Sequence, residues 1–369
     1  MHNSHIQQTE IAIINGQHPD PILLERAATL IRQGELVVFP TETVYGLGAD
    51  AFQPRAVEQI FAVKGRPLSD PLIVHIADEA TLASLVTETS IEAKRLMRAF
   101  WPGPLTLILP AGPRVPKMIT AGLPNVAIRM PRHPIAQALI RAAGTPIAAP
   151  SANRFMHVSP TTAQHVQADL GGRIPLILDA GPCEIGVEST VLDLCATVPT
   201  ILRPGGVSLE ELRAVLPTVQ PPAGDSAQSG ATTEELPDQP EAHHSPGQML
   251  IHYSPAVPAY LYEGGYEGGE EAMRQAMLAA IQHYQSTGAR VGILIADEDI
   301  AEFSESSVQM YVLGNTLGQI ATRLFAGLRT LEEAGVDVIL CRSFAEQGLG
   351  LAINDRLRKA TGGKIIRKP

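Results

Sequence analysis

Several short stretches place polar side chains directly after apolar runs, where open α/β sheets bind ligands at the carboxyl ends of their strands. Residues 40–48, PTETVYGLG, follow the run ELVVF and offer the Thr41 hydroxyl. Lys64-Gly65-Arg66-Pro67 closes the helical stretch RAVEQIFAV. Lysine supplies a point charge and arginine a planar fork, so the pair suits a polyphosphate; the same cations before Gly and Pro also describe an ordinary helix C-terminus. Ser151 and Asn153 follow the run TPIAA. Two residues apart, they can project the same way and donate hydrogen bonds to phosphate oxygens. Ser159, ahead of Pro160 and a helical stretch, reads either as an N-cap or as part of an anion site at a helix N-terminus.

His75 lies in PLIVHI and Arg129 in VAIRMP, both strand-like runs. The histidine reads as a structural residue or a ligand; the arginine faces solvent from an edge or needs an anionic partner if buried. Ser189 sits in GVESTV, and Arg203 precedes Pro204-Gly205-Gly206. GLGADA at residues 46–51 fits GxGxxA, although six residues separate it from the preceding strand, so a dinucleotide turn and a plain turn both stand as readings. No GxxxxGK[ST] loop occurs, so any ATP is held differently. Three cysteines without a CxxC pair indicate neither a disulfide framework nor a thiolate zinc site, and no metal ligands are assigned.

The elements that must position these groups fall into two regions. In the first, runs such as ELVVF, PLIVHI, LTLILP, VAIRM and LILDA alternate with two to three helical stretches, which predicts a large mixed sheet with helices around it. Residues 217–247 contain no aromatic residue and almost nothing apolar to bury, and they collect Pro, Gly, Ser and acids, the composition of a linker. Beyond it, strands and helices alternate, with Ile320, Leu324, Leu328 and Leu331 on one helical face, predicting a smaller Rossmann-like α/β layer. Hydrophobic residues make up 45% and charged residues 18% of 369, a balance that suits a turn-rich α/β protein and not a coiled coil or a disordered chain. The polar N-terminus and the lack of a long apolar run predict a cytoplasmic protein without a membrane partner. Net charge is −10, with 17 Lys and Arg against 19 Asp and Glu in residues 1–215, so strong direct nucleic-acid binding is not expected.

PTETVYGLG, KGRPLSDPLIVHI, WPGPLTLIL, VAIRMP, APSAN, VSPT, GVESTV and LRPGG, in that order over residues 20–215, resemble the YrdC-like threonylcarbamoyl-AMP synthase family. SPGQMLIHYSP and the region after it resemble the long form of that family, which carries an additional C-terminal domain. The resemblance implies a twisted mixed-sheet catalytic domain with a concave pocket at residues 1–216, a linker over the active site at 217–256, and a C-terminal α/β domain at 257–369. It implies that L-threonine, bicarbonate and ATP, with Mg²⁺, become threonylcarbamoyl-AMP and pyrophosphate, and that tRNA threonylcarbamoyl-transfer proteins use the product. Lys64 and Arg66 then resemble the catalytic, triphosphate-binding cations. Ser151, Asn153, Ser159, Arg203, His252 and Tyr253 resemble further ATP ligands, and Thr41, His75, Arg129 and Ser189 the threonine ligands. Met156 stands where the family often has Gly, and Gln248 where Met usually follows SPG. A carbamoyl-adenylate-forming maturation enzyme and a non-catalytic RNA-binding module are the alternative readings.

Overall fold

The computed structural model describes residues 8–222, 253–264 and 269–367. His252 and Gln248 lie outside the described residues.

Strands β1 (Glu10–Ile13), β2 (Val37–Phe39), β3 (Gly46–Asp50), β4 (Ile73–His75), β5 (Leu105–Pro110), β6 (Asn125–Arg129), β7 (Ile147–Ala148), β8 (Leu176–Asp179), β9 (Thr190–Asp193) and β10 (Thr200–Arg203) form one sheet. Their order is β1-β8-β2-β3-β7-β4-β6-β5-β9-β10, with parallel and antiparallel neighbours, so the mixed sheet is as expected. Around it lie α1 (Pro21–Arg32), α2 (Pro54–Lys64), α3 (Ile91–Phe100), α4 (Pro134–Ala143), α5 (Ala163–Leu170) and α6 (Leu209–Val215), more helices than the two or three expected. Period-2 alternation explains the two faces of β2. Val38 packs in the cluster containing Val57, Ile60 and Phe61 of α2, whereas Val37 and Phe39 pack with Ile31 of α1 and Leu139 of α4.

Two local readings need correction. The GLGAD segment is neither a dinucleotide loop nor a turn; it is β3, paired antiparallel with both β2 and β7. Its glycines serve packing: a Cβ on Gly48 would lie 2.7 Å from the Phe39 ring and 2.9 Å from Ile147. Ser159 is not an N-cap, because α5 begins four residues later, at Ala163, and Thr162 caps it by accepting from His165 N. The capping reading of residues 64–67 does describe the backbone, since Gly65 ends α2 in the left-handed region.

A second sheet contains β11 (Ala259–Tyr262), β12 (Val291–Ile295), β13 (Gln309–Val312), β14 (Val338–Arg342) and β15 (Ile365–Ile366), in the order β13-β12-β14-β11-β15 with parallel neighbours throughout. Helices α7 (Gly269–Ser286), α8 (Ile300–Phe303), α9 (Leu317–Glu333) and α10 (Gly350–Ala360) complete this layer. Met277 and Ile281 of α7 cover one face of the sheet. On the other, α9 and α10 share a core with Val44, Val158 and Val187 of the first region. The approach is close: a Cβ on Gly186 would meet the Ala321 carbonyl at 2.4 Å, so only glycine fits beneath α9. Charges reinforce the contact. Arg329 of α9 pairs with Asp169 of α5 at 2.8 Å, and His157 bridges Asp169 and Glu332. Among the described residues, no helix is long and apolar enough to cross a membrane.

Candidate active site

One cleft is lined by Thr41, Arg66, His75, Arg129, Ser151, Ser189, Arg203 and Tyr253 among others. Sequence spacing had separated these eight residues widely; the sheet order gathers them. Register does much of this. His75 of β4 and Thr106 of β5 both stand opposite Arg129 of β6, making a polar row across three strands.

Arg129 is buried. Its Nη2 pairs with Glu42 Oε1 at 2.8 Å, Nη1 donates to Thr43 Oγ1 at 2.8 Å, and Nε donates to the Gly103 carbonyl at 3.2 Å. Burial works against ionisation of Glu42, but the charge and hydrogen bond of Arg129 outweigh it and hold the carboxyl below its usual range. Thr41 shapes this corner. Its hydroxyl donates to Val44 O at 2.6 Å and accepts from the Val44 and Thr43 amides at 3.2 Å, a compact hydroxyl-stabilised turn.

His75 is 4% exposed and its Nδ1 has no hydrogen-bond partner among the described residues. Burial first, and then the neighbouring Arg129 charge, push its pKa down to about 3. The imidazole is therefore neutral at physiological pH, with one nitrogen available to a guest in the cleft. This has a measurable consequence. The folded pKa lies below the unfolded value of 6.5, so the unfolded chain binds the extra proton and stability is lost as pH falls from 6.5 toward 3. Urea unfolding should show the wild type losing about 2 kcal/mol more than His75→Asn between pH 7 and 5. Parallel losses in both proteins would show that His75 titrates normally.

On the opposite wall, Arg66 pairs with Asp70 at 2.9 Å and donates to the Pro71 carbonyl at 2.7 Å. Arg203 donates to the Ser189 carbonyl at 3.0 Å and its hydroxyl at 3.2 Å, while Ser189 Oγ also meets Thr106 Oγ1 at 2.8 Å. Three buried guanidiniums, Arg66, Arg129 and Arg203, thus face one cleft. Such a set favours a ligand carrying several negative charges.

Lys64, Asn153 and Ser159 stand behind this wall. The Lys64 ammonium donates to the carbonyls of Ser151, at 2.6 Å, and Asn153. Burial, aided by the Arg66 charge, draws it well below the usual lysine range. Asn153 Nδ2 donates to the carbonyls of Arg154 and His157, at 2.8 and 2.7 Å, and Ser159 donates to Glu188 Oε1 at 2.6 Å. In this arrangement Lys64 and Asn153 hold the loop, because buried backbone carbonyls demand donors, and neither lines the cleft itself. Met156, at φ 67°, turns the same loop, and its carbonyl accepts from Ser254 N at 2.9 Å.

Tyr253, at φ 61° and buried, lines the cleft with its ring 5.5 Å from that of Phe325. Burial pushes its phenol up to about 12. Glu42, Thr43 and Glu188 were not singled out from sequence, although each lies inside a quoted motif. A carboxylate beside a required buried cation was the available signal for both acids.

Two family models match in tandem: one described as "Telomere recombination" over residues 29–205, and "Threonylcarbamoyl-AMP synthase, C-terminal domain" over residues 207–362. A threonylcarbamoyl-AMP synthase of Bacillus subtilis (strain 168) is 46% identical over 345 residues, covering 93% of this chain and 94% of the relative. Another, from Pyrococcus abyssi (strain GE5 / Orsay), is 44% identical over 341 residues, covering 92% and 94%. The crystal structure of P. abyssi Sua5 complexed with L-threonine superposes with a TM-score of 0.87 at 41% identity, covering 97% of this chain and 99% of that one.

Proposed function

The chain belongs to the threonylcarbamoyl-AMP synthase family, and from that premise we propose that it converts L-threonine, bicarbonate and ATP into threonylcarbamoyl-AMP and pyrophosphate. It is an enzyme of nucleotidyltransferase type. The observation that carries the substrate reading is the convergence of three buried guanidiniums and the neutral, unpartnered His75 Nδ1 on one cleft.

In this reading Arg129 takes the threonine carboxylate as a bidentate anion, while Thr41, His75 and Ser189 surround the amine and hydroxyl. Arg66, Ser151, Arg203 and Tyr253 take the nucleotide. Lys64 can reach phosphate oxygens only by releasing a carbonyl partner, so its first task is to hold the loop carrying Ser151 and Asn153. The threonine amine condenses with bicarbonate, losing water, to give a carbamate anion. A carbamate oxygen then bonds to the α-phosphorus as the bond to the β-phosphate oxygen breaks, and pyrophosphate leaves. The nucleophile is already an anion, so no protein base is required at that step. The cations offset charge on the leaving group, and exclusion of water while substrates are bound would protect the labile carbamate.

Mg²⁺ is expected to enter on the ATP phosphates and water. Among the described residues no group of three His, Cys, Asp or Glu side chains is placed to hold a metal ion. Glu188, in the cleft lining, is already engaged with Ser159 and Arg356, so the residues present do not form a protein cage and no step is routed through the ion. The product is a mixed carbamic–phosphoric anhydride, suited to acylating an adenosine amine of tRNA through a downstream transfer protein. The carbamoyl-adenylate alternative is less favoured, because enzymes of that kind also carry cysteine zinc motifs and the three cysteines of this sequence form no CxxC pair.

Substrate choice tests the threonine half. A polar pocket rejects an isostere lacking the hydroxyl because its own groups are left unpaired, so kcat/KM for valine should fall about 100-fold or more below that for threonine. Equal use of the two amino acids would contradict the assignment.

A further inference from the structure

The second domain reaches the cleft wall through Arg356, a fully buried side chain on α10. Its Nε donates to Glu188 Oε2 at 2.7 Å and its Nη2 to the Pro204 carbonyl at 2.9 Å. Nη1 bonds Asp355 on the same helix. The guanidinium carbon lies 5.0 Å from the centre of the Tyr253 ring. These contacts fall on three separate segments of one wall. Glu188 precedes Ser189 and accepts the Ser159 hydroxyl through its other oxygen; Pro204 follows Arg203; Tyr253 lines the cleft from the far end of the interdomain segment. A planar fork with five donors can span a carboxylate, a carbonyl and an aromatic face together, and an ammonium cannot.

Stability alone does not explain this arginine. Desolvating a charged pair at a buried interface costs about as much as the pairing returns, and apolar residues of like volume do as well or better. The threonine half needs no such support, since Arg129 is held by Glu42, Thr43 and Gly103 of its own domain.

We propose that Arg356 is a positioning residue for the nucleotide half of the cleft, so that this half is complete only when the second domain is docked. The proposal rests on the reading of that wall as the ATP site. Docking of α10 thereby sets Glu188, the chain after Arg203 and the Tyr253 ring in one geometry.

The test uses the full chain with Arg356→Met, Arg356→Lys and the double variant Glu188→Gln/Arg356→Met. ATP affinity is measured by equilibrium titration with ATP alone, and KM values for ATP and threonine by pyrophosphate release. Arg356→Met should weaken ATP by at least about tenfold while the threonine KM stays within about twofold. Arg356→Lys, which retains one charged bond to Glu188, should fall between it and the wild type. The double variant should be no weaker for ATP than Arg356→Met, because the two side chains act as one unit. If Arg356→Met fails to fold, the Lys and double variants supply the same ratio. Unchanged ATP affinity in a folded variant, or ATP and threonine constants shifting in equal proportion, would overturn the positioning role. A wild type that binds ATP but releases no pyrophosphate with threonine and bicarbonate would sink the functional reading alone, and the ATP titration would still decide the role of Arg356. A wild type that binds no ATP would overturn both.

Discussion

Replacing Arg129 with methionine should cost about 3–5 kcal/mol of folding stability at pH 7 and remove measurable threonine-dependent turnover. The stability loss comes from Glu42, buried and paired with Arg129 at 2.8 Å. Without the guanidinium, Glu42 keeps a desolvated charge or takes up a proton, and either course is unfavourable near neutrality. The sign with pH follows. In the wild type the pair holds the folded carboxyl below its unfolded value, so its contribution is present above the unfolded pKa and is lost as pH falls through the folded one. The gap between wild type and variant should therefore narrow in acid, where the variant's Glu42 is protonated. Adding Glu42→Gln should return most of the stability, by removing the orphaned charge, without returning activity. Urea unfolding at pH 7 and 4, beside turnover of both variants, checks this. A double variant that regained turnover would show that Arg129 serves the fold and not the threonine carboxylate.

Lys64→Met should reduce adenylate formation about 100-fold or more. The ammonium satisfies the carbonyls of Ser151 and Asn153, and methionine would leave two buried acceptors without donors, at about 1–3 kcal/mol each. The loop would then reorganise to find water, carrying Ser151 away from the cleft. Arginine should not rescue the function, since a larger fork cannot occupy the buried position of the ammonium. Steady-state kinetics with varied ATP, beside thermal unfolding, separate loss of the site from loss of the fold. Near-normal turnover in folded Lys64→Met would contradict both the loop-holding and the phosphate-binding roles.

The apolar runs made much of the fold legible. LTLILP became β5, and Ile320, Leu324, Leu328 and Leu331 all turn into the core as their spacing requires. Gly46–Asp50 escaped because a strand of small residues buried throughout has no alternating pattern to read. The same limit applies to the site. Lys64 and Asn153 were visible as residue types, but which atoms they touch depends on a loop folded back from residues remote in sequence. Arg356 carried one faint signal: it shares the apolar helix face of Ile353, Leu357 and Ala360, where a cation needs a buried partner. That partner, Glu188, lies in the other domain, so no local pattern could connect them.

The most direct measurement of the central claim is pyrophosphate release by the purified chain with Mg²⁺-ATP, threonine and ¹³C-bicarbonate, each substrate omitted in turn, with the product analysed by mass. Release should require all three, and the labelled carbon should appear in a threonine-containing adenylate. Release that proceeds without threonine or bicarbonate, or an adenylate without the label, would contradict the account.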